Sequence, residues 1–135
     1  KSVFYLDLQK GCYSYNYPVT NQAILSGPNY KTLYPASCNG RYHIQVIFSG
    51  KIKTASSSGL PTQAEASENC GQKYIAAMGQ PSPKQIAPDA TYLYWLFPDA
   101  GFEAKKYPNK VICNLIRTDM SYTYIQAQSK PLARN

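Results

Sequence analysis

A chain of 135 residues is the size of one domain with a core of its own. With 44% apolar and 16% charged residues it reads as globular rather than disordered, and no run approaches the ~20 apolar residues of a membrane span. Lys+Arg 14 against Asp+Glu 7 gives a net charge of +7, which draws anionic partners such as RNA, phosphoinositide heads or acidic proteins, against the plainer reading of solubility alone. The charge rests mostly on lysine, with arginine only at Arg41, Arg117 and Arg134, so there is no arginine-rich motif. Thirteen tyrosines lean the chain toward β structure with a partly aromatic surface.

In chain order, Val3 to Leu8 alternates apolar and polar residues and predicts a strand, with Gly11 as a turn. Pro18 to Gly27 predicts a short helix, with proline near its start, Val19, Ala23 and Ile24 on one face, and glycine as its stop. Pro28 to Gly40 reads as a loop. Arg41 to Phe48 is a strand with Tyr42, Ile44, Val46 and Phe48 on one face, Ser49-Gly50 is its turn, and Lys51 to Thr54 pairs back as a hairpin.

Ser56 to Pro88 is expected to be a long loop insertion, although Thr62 to Glu68 has helical composition, and Tyr74 to Met78 would either extend it or form a separate piece. Pro81, Pro83 and Pro88 make its end irregular. Thr91 to Phe97 predicts a buried strand and Pro98 to Gly101 its turn. Lys110 to Arg117 is a further strand, and Tyr122 to Gln126 the last. The sum is α+β: a single domain over residues 1–135, with one short helix packed on an antiparallel sheet.

Cys12, Cys38, Cys70 and Cys113 form no Cys-x-x-Cys, and the lone His43 completes no zinc set with them, so neither metal nor cofactor is expected. An even count at wide spacing in a small basic chain reads as two disulfides in a secreted protein, here in its mature form. The competing reading is four reduced core cysteines in the cytosol. Four cysteines allow three connectivities.

Four stretches, about a third of the chain and in the right order, resemble the secreted microbial guanyl-specific ribonucleases and their larger relatives, the sarcin-type ribotoxins. They are Cys12 to Ala23, Tyr34-Pro35, Tyr92 to Gly101 and Tyr107 to Thr118. The resemblance implies a ribonuclease-like fold, with the first stretch leading into its single helix. RNA cleavage in that family needs a base for the 2′-hydroxyl, an acid for the leaving oxygen and a cation for the phosphorane. The family supplies these as two histidines, a glutamate and an arginine.

At the matching positions this chain has Ala36, Trp95 (or Tyr94), Phe102 (with Lys105 or Lys106 able to reach the same space) and Arg117. Arginine keeps its proton at any accessible pH and cannot serve as the acid. The groups left for a relocated base are His43, Glu103 and Asp119.

A basic, tyrosine-rich ribonuclease scaffold without its catalytic residues is similar to the ribonuclease-like secreted effectors of powdery mildew fungi. That resemblance implies a monomeric pseudoenzyme, secreted and delivered into the host cell. It would bind host RNA or a host protein, and a plant immune receptor would recognise it. Tyr34, Tyr94, Lys105, Lys106, Lys110 and Arg117 would form the binding face, with Trp95 either beside them or in the core. The resemblance also implies Cys70 with Cys113, and Cys12 with Cys38. The alternative function is an active ribonuclease or ribotoxin with displaced catalytic groups, and a third is an unrelated disulfide-bonded β protein.

Overall fold

The computed structural model describes residues 1–15, 32–40, 42–78 and 91–117. They form one antiparallel sheet of six strands: β1 (Val3–Phe4), β2 (Gly11–Tyr15), β3 (Thr32–Ala36), β4 (Ile44–Lys51), β5 (Thr91–Leu96) and β6 (Lys110–Arg117). Their spatial order is β1-β3-β2-β4-β6-β5. Two helices accompany the sheet, α1 (Gln63–Met78) and the short α2 (Gly101–Lys106). The α+β class expected from the sequence is therefore correct.

Alternation along β6 divides the core in two. Val111, Cys113 and Leu115 point to the α1 side and meet Ala66, Cys70, Tyr74, Leu93 and Ile47. Ile112 and Ile116 point the other way, onto Tyr5, Leu6, Leu8, Tyr13, Leu33, Ile44, Val46 and Leu96. The sheet is thus buried on both faces at its centre. Only the second core is built largely from the chain's first residues.

Helix α1 starts at a capping box. The Thr62 hydroxyl accepts from the Glu65 N–H at 3.0 Å and the Glu65 carboxylate accepts from the Thr62 N–H at 2.9 Å, so two orphan donors are satisfied together. Ala66, Cys70 and Tyr74, four apart, are fully buried on one stripe. The Cys70–Cys113 disulfide ties that stripe to the middle of β6, and Cys12–Cys38 ties β2 to the segment after β3. These are the two pairs expected from the resemblance.

Several sequence expectations need correction. Val3 to Leu8 is not one strand: after Phe4 the chain makes a 3-10 turn over Tyr5–Asp7, which buries Tyr5, Leu6 and Leu8 together where a strand would alternate them. Gly11 opens β2 rather than a turn, at a φ of 144° that suits glycine alone, and residues 32–36 of the expected loop form β3. Ser49 and Gly50 lie inside β4. A Cβ at Gly50 would sit 3.1 Å from the Phe48 ring, so a larger residue there would require the ring to shift slightly.

A bulge between Val46 and Phe48 turns both Ile47 and Phe48 toward α1, so Phe48 leaves the face expected for it. No hairpin forms over Lys51 to Thr54, because the Ile52 N–H donates to the Asn109 carbonyl at 2.9 Å instead. The expected loop insertion holds the sixteen-residue α1, and the turn at Pro98 to Gly101 runs into α2. Of the helical pieces, Tyr74 to Met78 does extend Thr62 to Glu68. The helix expected at Pro18 to Gly27 and the strand at Tyr122 to Gln126 lie outside the described residues.

Candidate functional site

The positions matched to the family's catalytic groups do not meet in one place. Ala36 ends β3, opposite Cys12, and Trp95 lies opposite Cys113 with its ring against the α1-side core. Arg117 ends β6 opposite Thr91. Phe102 sits on α2 with 75% of its surface exposed, lining a cleft with residues of the first strand and turn. Tyr94 packs against the other core from Trp95, and Tyr34 is exposed at 37% on the second strand of the order.

His43 is buried between β2 and β4, with its backbone N–H donating to the Tyr13 carbonyl at 2.9 Å. Burial pushes its pKa down to about 4, so the imidazole is neutral at pH 7 and closed to solvent. Glu103 is equally buried but at the opposite end of the sheet. There its carboxylate accepts from the Tyr5 hydroxyl at 2.7 Å and the Asp99 N–H at 3.3 Å. The length of β6, about 23 Å at about 3.3 Å per residue, separates these two ends. Asp119 lies outside the described residues.

The cations divide in the same way. Lys110 and Arg117 begin and end the same eight-residue strand, so the binding face expected from the sequence is split. Lys110 has a different neighbour. The register sets Lys51, at the end of β4, directly opposite it. Like charges directly opposed across a strand pair repel, and the arrangement costs free energy unless something anionic lies between them.

Local structure fixes this end. Tyr107-Pro108-Asn109-Lys110 is a turn closed by the Lys110 N–H donating to the Tyr107 carbonyl at 3.3 Å, with Asn109 at a φ of 60° that asparagine tolerates. The Asn109 backbone N–H donates to the Gly59 carbonyl at 2.9 Å, and the Thr54 hydroxyl lies 3.1 Å from the Asn109 side-chain oxygen. The segment carrying Lys51 and Lys53 is therefore stapled to the turn that follows Lys105 and Lys106. Gly59 must be glycine on two counts, a φ of 84° and the Ala104 carbonyl 3.3 Å from where a Cβ would lie.

Four lysines thus lie at this end, Lys51, Lys105, Lys106 and Lys110, whereas Lys53 lines a groove with Glu65 and Glu68 on the α1 side. Lys106 stands over the Tyr107 ring at 5.6 Å, and no ion pair of the four is seen among the described residues. Sequence reasoning found the last three of the four and missed Lys51, because only the β4–β6 register brings it in.

Beside the lysines lies a cleft of about 290 Å³ walled by Phe4, Phe102 and Tyr107, with Asp7, Glu103 and Lys106 around it. The Phe4 and Tyr107 rings are 5.8 Å apart and tilted by 32°. The Tyr107 hydroxyl donates to Asp7 at 3.0 Å. Burial, that hydrogen bond and the nearby carboxylates raise its pKa and keep it protonated. Phe4 in turn meets Tyr5 edge-on at 4.9 Å, and Tyr5 is anchored on Glu103.

No group of histidine, cysteine and carboxylate side chains suited to a metal occurs among the described residues, and no described helix is long and apolar enough to cross a membrane. Comparison of the chain with protein families, with curated protein sequences and with solved structures finds no match.

Proposed function

We propose that this chain is a secreted, ribonuclease-like fungal effector that binds host RNA without cleaving it. The observation that carries the reading is the lysine-rich end of the sheet, in which Lys51 and Lys110 directly oppose each other. Such a surface is relieved by an anionic polymer, whose phosphates release counterions as the lysines replace them. Two disulfides suit a secreted protein. Recognition by a plant immune receptor follows from the same resemblance and rests on it alone.

The reading of a pseudoenzyme draws on the four substituted family positions and on the state of the remaining candidates. His43 is 3% exposed and Glu103 also 3%, at opposite ends of the sheet, so neither reaches an RNA bound at the other. The test is incubation of pure protein with end-labelled RNA, resolved on a denaturing gel beside a catalytic relative. Intact RNA at high protein concentration is the expected result. Discrete fragments abolished by His43→Ala would mean an active, relocated site and would overturn the proposal.

A further inference from the structure

We propose that the aromatic cleft beside α2 receives one unpaired base of a single-stranded RNA whose backbone continues onto Lys51 and Lys110. The inference rests on the RNA-binding reading above and adds the site, the strandedness and the mode of contact.

Three features converge on it. Phe102, in the first turn of α2, leaves 75% of a large ring in solvent while its neighbour Glu103 is buried, so the helix turns this ring outward. Facing it, Phe4 and Tyr107 are held by a chain of fixed contacts: Phe4 on Tyr5, Tyr5 on Glu103, and Tyr107 on Asp7. Rings held in place lose little freedom when a base stacks on them, and stacking accepts any base.

Charge then sets the polarity of the ligand. Asp7 at the cleft and Glu103 behind it repel a phosphate, yet a carboxylate accepts from the exocyclic amino group of a base. Lys106 lines the same cleft, and four residues on, Lys110 opposes Lys51. Alternation puts Lys110 on the Ile112 face of β6, the face that also carries the first strand and turn. A base inside and phosphates outside fit this arrangement, and a nucleotide in a duplex cannot offer its ring face to it.

The test is fluorescence anisotropy with a short fluorescein-labelled RNA of mixed sequence, offered single-stranded and as a duplex, across a salt series. Phe102→Ala and Phe102→Leu should each weaken single-stranded binding about ten-fold without altering the salt slope, as loss of one stacked base requires. Lys51→Glu with Lys110→Glu should reduce the slope by about 0.7 per lysine. Phe102 is exposed, so both its variants should melt as the wild type does.

If the wild type binds and the Phe102 variants bind equally well, or the duplex binds as tightly as the single strand, the cleft proposal is overturned. If the wild type binds no RNA at all, the RNA-binding reading itself falls.

Discussion

The two ends of β6 carry cations in opposite settings. At one end Arg117 stands opposite Thr91, near the buried, neutral His43. At the other Lys110 stands opposite Lys51, in a group of exposed lysines beside an aromatic cleft. The first end answers to acid, through a histidine that folding desolvates. The second end answers to salt, through like charges that the strand register sets opposite each other. Eight residues of contiguous sequence look like one site, but an extended strand makes them two.

The largest expected effect comes from cutting the first end's staple. Replacing Cys12 and Cys38 by alanine reopens a 26-residue separation and should lower stability by about 3 kcal/mol. RNA affinity at the lysine end should not change. A parallel loss of binding in a still-folded variant would show that the two ends are one unit.

Acid should come next. His43 has its pKa lowered from 6.5 to about 4, so between those values the unfolded chain holds a proton that the folded chain does not. Stability is therefore complete above about pH 6.5 and is lost as pH falls toward 4, by up to about 3 kcal/mol. Melting temperature followed from pH 7 to 4 should fall for the wild type, and His43→Gln should flatten that fall. A fall of the same size in the variant would assign it to other groups.

Smaller, and specific to the second end, is charge reversal. Lys105→Glu with Lys106→Glu should weaken RNA binding by about 2 kcal/mol and flatten its salt dependence, while Arg117→Gln should leave both nearly unchanged. An unaltered slope in the lysine pair would remove α2 from the interface.

The smallest effect concerns the strand between the ends. Asn114 is completely buried with neither amide atom hydrogen-bonded, and an unsatisfied buried amide costs about 1 kcal/mol or more. Asn114→Val should raise stability by about that amount. A lower melting temperature would mean that the amide is satisfied or the site too tight for valine.

β5 and β6 were legible because each is rich in apolar residues, interrupted within β6 only by Asn114, and the centre of β6 is buried on both faces. Other elements were hidden for local reasons. β3 contains Pro35, which argues against a strand. The proline is tolerated because β1 pairs only with Thr32 and Leu33, leaving the edge open where the N–H is missing. Helix α1 buries a narrow stripe and so lacks a strong apolar period, but Thr62-Gln-Ala-Glu65 was a readable start signal. Lys51 carried no signal at all. Its place depends on a strand register and on the Asn109 turn, neither of which can be read from the residues around it.

Photo-crosslinking tests the division between the two ends most directly. A single-stranded RNA carrying 4-thiouridine would be irradiated on the intact protein and the modified peptides mapped by mass spectrometry. Adducts on peptides holding Phe102 and Tyr107 are the expected result. Adducts confined to the peptides of Tyr34, Ala36 and Arg117 would contradict the account and move the interface to the other end of β6.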